Sequence, residues 1–424
     1  METQSQLIRI CTTLFAGIAV WAALLFPCAT PGFGQFSGGK TVEIPDSSVG
    51  TLFPLVERMA QRNPVPKYRY LREEFTSPES WRRQAQPLVM ANLHYDPAPV
   101  DPKPEVIDKV DLGTHSREYI RFNTTPETRI SGYVLIPKGE GPFPALVALH
   151  DHGAFYLWGK EKLVKLESEH PALVKFRETC YGGTAIADEL AKRGYVVAVI
   201  DMLYWGERRM LLPGDPEGYL TRSLDLTEEE ILQFNRRSSM NEQVFARTLM
   251  TAGTTWFGVI HWDDRRTVDY LLTRPEVDPN RIGCVGLSVG GYRAVHLTAL
   301  DDRIRAGVGV GWMCTYGSML KKHIPNGIGL TKIIPGTYEY LDLPDIAALS
   351  MPRPLMVING TKDGLFPWEG VQDAYQILRD SYQKAGIPER FQAVTYEGPH
   401  EFNQEMQEVA FEWLDRWVKD AGGK

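Results

Sequence analysis

Gly286-Leu287-Ser288-Val289-Gly290 is the stretch that decides the fold of this chain. A short apolar run, 281–285, precedes it, and a helix-like segment, 292–300, follows it. The pattern G-x-S-x-G between a strand and a helix is typical of a sharp turn that exposes a nucleophilic serine. A serine in such a turn has strained backbone angles, and the residues two positions before and after it must lack a Cβ. The spacing therefore predicts Ser288 as a nucleophile.

The segments around this turn alternate between apolar runs and helix-like stretches. Continuous apolar runs are typical of strands buried on both faces of a sheet, and they occur at 145–149, 195–200, 282–285, 306–310 and 354–358. Helix-like stretches separate them, at 184–192, 262–272, 292–300 and 370–385. Two earlier segments, 118–122 and 129–136, alternate as antiparallel strands with one exposed face do. This order predicts an α/β fold with a mostly parallel, doubly wound sheet covered by helices.

A proline-rich segment divides the chain. Prolines at positions 97, 99, 102 and 104 exclude a helix or a central strand there. We therefore predict an N-terminal helical extension and linker over residues 35–114, with a helix that begins at Ser77-Pro78. The catalytic domain is predicted to cover residues 115–424.

The interval 202–257 is too long for a bare connection between a strand and the next helix. Thr227 to Glu230 match a capping box, and an amphipathic pattern follows to about Met250. We expect a helical insertion at the carboxyl edge of the sheet. It either covers the site or only completes the fold.

The first 34 residues have the pattern of an export signal. An apolar run from Ile10 to Phe26 follows Arg9, and small residues follow up to Gly34. We predict a signal peptide over residues 1–34 and a periplasmic or extracellular protein; an uncleaved anchor and a lipid on Cys28 are the alternatives. The formal net charge of −7 argues against a nucleic-acid partner, and nothing beyond the leader predicts a membrane contact.

A serine hydroxyl is a weak nucleophile and needs a histidine base that a carboxylate orients. After a serine turn of this kind the acid and then the histidine follow in the chain, each in a loop after a strand. Asp363 lies in the turn after the apolar run 354–358, and His400 follows the last strand-like segment. We predict Asp363 as the acid and His400 as the base. The competing acids are Asp342, Asp345, Glu369 and Glu397, and the last is the strongest competitor because it is adjacent to the histidine loop.

An acyl intermediate needs two N–H groups that bind its oxyanion. The N–H of Val289 is predicted to be one donor, and the N–H of Gly153 or Ala154, after the run 145–149, the other. The same loop contains His150 and His152, and such H-x-H pairs bind zinc in several hydrolase folds. Residues 153–156 supply no further ligand, so we predict no metal and expect these side chains to form hydrogen bonds beneath the loop.

Aromatic residues cluster in segments predicted to lie at the exposed rim of the site. Aromatic faces stack on sugar C–H surfaces and line apolar acyl pockets, although about half of such residues are ordinary core. From this group we predict substrate contacts for Tyr156, Trp158, Trp205, Trp312 and Trp368.

The chain from residue 115 to about 420 resembles the α/β-hydrolase superfamily, and within it the dienelactone-hydrolase-related esterases that include acetyl xylan esterase-like proteins. The matching segments are 150–153, 201–207, 262–264, 274–278, 286–291, 398–400 and Asp363. The resemblance implies Ser288 as nucleophile, Asp363 as acid and His400 as base, with ester hydrolysis through an acyl-enzyme and no cofactor. Dienelactone hydrolases proper use a cysteine nucleophile, so the serine favours the deacylation of carboxylic esters.

These observations together predict an exported serine carboxylesterase. Its expected substrate is a small-molecule or carbohydrate ester with a short acyl group, and acetylated plant polysaccharide is favoured. A lactonase and a uronate methylesterase are alternatives with the same chemistry, whereas a peptidase is disfavoured because the segment before the linker is too short for a β-propeller. Outside enzymes, the alternative is a catalytically silent hydrolase-fold binding protein. The sequence leaves the oligomeric state open.

Overall fold

The strands found between residues 44 and 420 form one mixed sheet. A computed structural model describes residues 44–420, and the strands within that part are β1 (Glu105–Asp111), β2 (His115–Asn123), β3 (Arg129–Pro137), β4 (Phe143–Leu149), β5 (Val196–Ile200), β6 (Val277–Leu287), β7 (Ile304–Val310), β8 (Leu355–Gly360) and β9 (Phe391–Tyr396). Their order is β1-β2-β3-β5-β4-β6-β7-β8-β9. The neighbouring pairs β1/β2, β2/β3 and β3/β5 are antiparallel, and from β5 onward all neighbours are parallel.

Helices follow most of the parallel strands and cover the sheet. The α-helices are α1 (Phe53–Ala60), α2 (Pro78–Asn92), α3 (Pro171–Tyr181), α4 (Ile186–Lys192), α5 (Glu217–Thr221), α6 (Glu228–Thr251), α7 (Trp256–Leu271), α8 (Val289–Leu300), α9 (Tyr316–Met319), α10 (Ile324–Gly327), α11 (Leu343–Ala348), α12 (Trp368–Lys384) and α13 (Gln404–Leu414). No helix in the described range has both the length and the apolar character needed to cross a membrane. The predicted leader, residues 1–34, lies outside the described residues.

Alternate residues of the central strands face opposite cores. In β4, Leu146 and Ala148 belong to one core, and Ala145, Val147 and Leu149 belong to the other. All of these side chains are fully buried, as expected for a strand with helices on both sides. The prediction of a mostly parallel, helix-covered α/β sheet is confirmed.

The segment before residue 115 is part of the main fold. β1 pairs with β2 inside the segment predicted to be extension and linker. Helix α2 begins after Ser77, whose Oγ accepts the Ser80 N–H at 3.2 Å, and it buries Trp81 and Val89 in the same core as α8. The predicted start of the catalytic fold at residue 115 is therefore too late.

The insertion predicted at 202–257 contains α5 and α6. Thr227 Oγ1 accepts the Glu230 N–H at 3.2 Å, and the Glu230 carboxylate accepts the Thr227 N–H at 2.7 Å, so the predicted capping box is confirmed. Asn235 and Glu242 of α6 contact the loop that follows β4. Because that loop leaves the carboxyl end of β4, the insertion lies at the carboxyl edge of the sheet.

Candidate active site

Ser288 occupies the turn between β6 and α8. Its backbone angles, φ 60° and ψ −123°, are strained for a residue with a Cβ, and its N–H donates to Val310 O at 2.7 Å. A Cβ on Gly286 would lie 2.5 Å from Leu149 O, and a Cβ on Gly290 would overlap the same oxygen. The prediction that these flanking positions must lack a Cβ is confirmed. The turn holds the serine at the N-terminus of α8, where partial positive charge accumulates.

His400 and Asp363 are joined by a hydrogen bond. His400 Nδ1 lies 2.6 Å from Asp363 Oδ2, and Asp363 Oδ1 accepts the Leu365 N–H at 3.0 Å. Asp363 follows β8 and His400 follows β9, so two neighbouring parallel strands deliver both side chains to the same edge. With Nδ1 as the donor in this hydrogen bond, Nε2 is left as an acceptor. That Nε2 has no hydrogen-bond partner within residues 44–420.

The imidazole of His400 packs beside the serine turn. Gly311 follows β7 and contacts the ring: a Cβ there would lie 3.0 Å from His400 Cε1 and 3.2 Å from Leu287 Cδ1. Leu287 directly precedes Ser288, and Val310, the neighbour of Gly311, accepts the Ser288 N–H. The structure therefore brings the predicted serine, acid and histidine to one edge of the sheet.

The carboxylates that compete with Asp363 for the role of the acid are either exposed or engaged in capping a helix. The Glu397 side chain is 79% exposed and pairs with a lysine, and Glu369 is exposed on α12. Asp342 and Asp345 form the capping box of α11, and burial raises the pKa of Asp342 to about 7. Within the described range, Asp363 is the carboxylate in contact with the histidine.

The loop after β4 is held through its carbonyl oxygens. Buried Lys162 donates to Asp151 O at 3.0 Å and to His152 O at 3.1 Å, and the indole N–H of Trp205 donates to His152 O at 3.0 Å. The peptide between His152 and Gly153 is trans, so its C=O and N–H point in opposite directions. The Gly153 N–H therefore points away from Lys162 and Trp205, and no group in the described part of the chain accepts it.

The Ala154 N–H is already engaged. It donates to His152 Nδ1 at 3.0 Å, so this nitrogen is unprotonated and Nε2 carries the ring proton. Nε2 lies 2.7 Å from Glu242 Oε1 on α6, and the same oxygen accepts the Tyr156 hydroxyl at 2.9 Å. Burial alone would raise the pKa of Glu242, but the His152 ring and these hydrogen bonds lower it overall. Sequence reasoning missed Glu242, which is distant in the chain from the loop it supports.

The H-x-H histidines are engaged in hydrogen bonds. His150 Nδ1 lies 2.8 Å from the Asp151 carbonyl oxygen, and Nε2 accepts the Met202 N–H at 2.9 Å. Burial lowers the pKa of His150, so the ring is neutral. Both nitrogens of His152 are engaged as well, so the pair leaves no ring nitrogen free to bind a metal.

A group of carboxylates supports the same loop from below. Glu161, Asp201 and Glu207 place one oxygen each within 4.8 Å of the others, a spacing that a metal ion could use. Lys160 Nζ lies 2.6 Å from Asp201 and 2.7 Å from Glu207, and Arg222 lies 2.6 Å from Glu161. Lys160 and Arg222 bridge the three carboxylates, which therefore form a structural ion-pair network.

The aromatic residues predicted to contact substrate do not form an exposed surface. Tyr156, Trp158, Trp205 and Trp312 are at most 5% exposed, and Trp368 is half-buried. Trp205 stacks on Tyr156 with ring centroids 4.9 Å apart, and both support the loop after β4. The expectation of an exposed rim is therefore wrong for four of the five, because their rings fill the space beneath the loops. Trp312 nevertheless lies beside the site, because it directly follows Gly311, which contacts the His400 ring.

A buried ion pair fixes the helix that follows the serine turn. Arg293 on α8 pairs with Asp264 on α7 at 2.6 and 3.0 Å, and both side chains are inaccessible to solvent. Arg293 also donates to His150 O at 3.3 Å. This arginine therefore ties α8 to the loop after β4, the two segments that supply the predicted oxyanion donors.

The sheet is mostly parallel and has a G-x-S-x-G turn at its carboxyl edge, and an acid and a histidine lie in the loops after later strands. This combination defines an α/β-hydrolase. The predicted superfamily is confirmed. The chain belongs to the Abhydrolase family, whose model matches residues 47–416.

Among its relatives, YtaP of Bacillus subtilis (strain 168), provisionally named a hydrolase, is 27% identical over 286 residues, which cover 68% of this chain and 82% of YtaP. The solved structure of BF1801 from Bacteroides fragilis NCTC 9343, provisionally named an acetyl xylan esterase, aligns with a TM-score of 0.63 at 19% identity, over 89% of this chain and 92% of its own. A glucuronoyl esterase from Solibacter usitatus aligns with a TM-score of 0.55 at 16% identity, over 83% of this chain and 97% of its own. The methylesterase BT1017 aligns with a TM-score of 0.55 at 17% identity, over 91% of this chain and 72% of its own. At these identities the likeness to the solved structures is one of fold.

Proposed function

We propose that the protein is a serine carboxylesterase that hydrolyses short acyl esters of carbohydrates through an acyl-enzyme. Ser288 Oγ attacks the ester carbonyl carbon while His400 Nε2 takes the hydroxyl proton, and His400 then gives that proton to the leaving alcohol. Water hydrolyses the acyl–serine bond by the same proton route. Asp363 holds the ring tautomer and stabilises the imidazolium. The observation that carries the proposal is the 2.6 Å hydrogen bond between Asp363 and His400, beside the strained serine turn.

The oxyanion donors in this proposal are the N–H groups of Val289 and Gly153. Val289 directly follows the serine and is the first residue of α8. Ala154 is the alternative to Gly153, but its N–H donates to His152. The Gly153 N–H is directed away from the groups that hold the loop and has no acceptor in residues 44–420. Loss of one such donor typically lowers turnover by about 10²–10³-fold.

A carbohydrate ester is the favoured substrate because the similar solved structures carry the names acetyl xylan esterase, glucuronoyl esterase and methylesterase. Acetylated plant polysaccharide remains the first candidate, and a uronate methyl ester or a lactone are the alternatives. Of the predicted aromatic contacts, the half-buried Trp368 is kept as a substrate-facing candidate, whereas the buried Trp312 packs beside His400. The proposed reaction needs no cofactor.

Export belongs to the same proposal and is supported by the apolar run from Ile10 to Phe26. N-terminal sequencing of the protein recovered from its native host tests it. A mature N-terminus near Gly34 agrees with a cleaved leader, and an intact Met1 contradicts cleavage.

The proposed reaction is tested by comparing wild type with Ser288→Ala. The substrates are acetylated xylo-oligosaccharides, a methyl uronate and a small lactone. Acetate release that falls by about 10⁴-fold or more in a variant with an unchanged melting temperature agrees with it. Release that persists in the variant rules out Ser288 as nucleophile. Folded wild-type protein that turns over no ester makes the catalytically silent binding protein the better account.

A further inference from the structure

The buried lysines of the described chain are Lys160, Lys162 and Lys332. Lys160 Nζ lies 2.6 Å from Asp201, and Lys162 Nζ lies 3.2 Å from Asp151, so both have a carboxylate partner. Lys332 is 93% buried, yet within residues 44–420 its ammonium has neither an ion-pair partner nor a hydrogen-bond acceptor. An unpaired buried charge is costly. The fold thus compensates two of its three buried ammonium groups and leaves the third unpaired.

Lys332 lies beside the candidate active site. Its Nζ is 4.6 Å from the ring centroid of Trp312. Trp312 directly follows Gly311, which contacts the His400 ring. The ring of Phe366 connects the two sides, with its centroid 4.8 Å from Trp312 and 6.3 Å from His400. The ammonium is therefore separated from the proposed base by a thin layer of aromatic side chains.

The surroundings of Lys332 contain a second donor without an acceptor. The indole N–H of Trp312 is buried and has no hydrogen-bond partner in the described part of the chain. The carboxylate whose charge acts on Lys332 is Glu242, but this group is bound to His152 and Tyr156. The face of a tryptophan compensates only part of an ammonium charge. This part of the site therefore has two hydrogen-bond donors, the Lys332 ammonium and the Trp312 indole N–H, that lack an acceptor in the described residues.

We propose that Lys332 binds a carboxylate of the substrate, so that the carbohydrate ester contains a uronic acid residue next to the acylated sugar. This inference rests on the proposed function, which places the reacting ester at Ser288. A carboxylate supplies both the direct ion-pair partner and the hydrogen-bond acceptors that this buried ammonium lacks. A neutral xylan segment offers hydroxyl groups, which can accept a hydrogen bond but form no ion pair with the ammonium.

Binding of trigalacturonic acid and of xylotriose, measured by calorimetry, tests the site without turnover. The wild type is expected to bind the acid at least about tenfold more tightly, the contribution of one charged hydrogen bond. Lys332→Met removes that preference and Lys332→Arg retains most of it. Lys321→Met, which removes an exposed lysine on the same connection, is the matched control. Equal binding of the two sugars, undetectable binding of the acid, or a preference that survives in Lys332→Met overturns the inference.

Turnover separates failure of this inference from failure of the proposed function. The ratio of kcat/KM for acetylated oligogalacturonate to that for acetylated xylo-oligosaccharide is expected to be about ten or more in wild type and near one in Lys332→Met. A wild type that hydrolyses both equally well overturns the carboxylate site and leaves the esterase. A wild type that binds trigalacturonic acid through Lys332 and hydrolyses no ester retains the site and overturns the proposed function.

Discussion

Glu242 of α6 accepts a hydrogen bond from His152 at 2.7 Å, and this contact joins the insertion to the loop after β4. The other nitrogen of His152 accepts the Ala154 N–H, so the carboxylate fixes both the tautomer and the orientation of the ring. The adjacent Gly153 N–H is the proposed oxyanion donor. We therefore expect the insertion to help position the proposed site as well as completing the fold.

Glu242→Ala is expected to lower kcat for an aryl acetate by about tenfold or more with little change in KM, because the loop that holds the oxyanion donor loses its support. Glu242→Gln retains an oxygen acceptor and should retain most of the rate. Gln243→Ala, an exposed neighbour on the same helix, is the control. Melting temperatures distinguish the effect from unfolding. An unchanged kcat in Glu242→Ala contradicts the positioning role.

Asp363→Asn is expected to lower kcat by about 10⁴-fold while the fold is retained, because the amide favours the wrong imidazole tautomer. Glu397→Gln should leave kcat unchanged, since its side chain is largely exposed and pairs with Lys362. Steady-state kinetics on the same ester and circular dichroism of both variants provide the comparison. A full rate in Asp363→Asn would assign the acid to another residue.

Asp264→Ala is expected to reduce the free energy of unfolding by about 3–5 kcal/mol, because it leaves the buried Arg293 guanidinium without its partner. The control, Glu74→Ala, removes one member of an exposed pair with Arg72 and should change stability by less than about 1 kcal/mol. Urea denaturation measures both. Similar stabilities for the two variants would show that the buried pair does not hold α8.

The pH dependence of KM reports on Lys332. Burial lowers the pKa of its ammonium to about 8, although the charge of Glu242, the charged group that acts on it, opposes this shift. The group is therefore cationic below about pH 8 and neutral above it. The Lys332 ammonium lies over the Trp312 ring, and the Tyr292 hydroxyl donates to the Lys332 carbonyl oxygen.

For an acetylated oligogalacturonate, KM is expected to rise as the pH increases through about 8, since the neutral amine no longer attracts a carboxylate. A neutral aryl acetate lacks that group, and its KM should not follow the same transition. Lys332→Arg remains charged and should shift the rise to higher pH. Identical KM profiles for wild type and Lys332→Arg on the acidic substrate would contradict this assignment.

Most of the fold could be predicted because its signals are local. The buried strands are continuous apolar runs, and the serine turn is a motif with one backbone solution. β1 escaped prediction because it is an exposed, polar edge strand without apolar alternation, directly after a proline-rich segment. The main-chain pairing with β2 that creates it depends on tertiary structure, so the predicted boundary at residue 115 was too late.

Less of the site could be predicted. Ser288, Asp363 and His400 were predicted from motif and chain order, but the roles of Glu242 and Lys332 depend on contacts between segments far apart in the chain. The sequence also could not distinguish an exposed tryptophan from a buried one, and Trp205 is fully buried beneath the loop. The choice between Gly153 and Ala154 required knowledge of which N–H donates to His152.

The role of Ser288 as an activated nucleophile is tested most directly by intact-mass analysis after incubation with a fluorophosphonate, for wild type and for Ser288→Ala. We expect one covalent adduct on wild type and none on the variant, since a serine needs an assembled base to react. No adduct on folded wild-type protein, or an adduct that persists in Ser288→Ala, would contradict it.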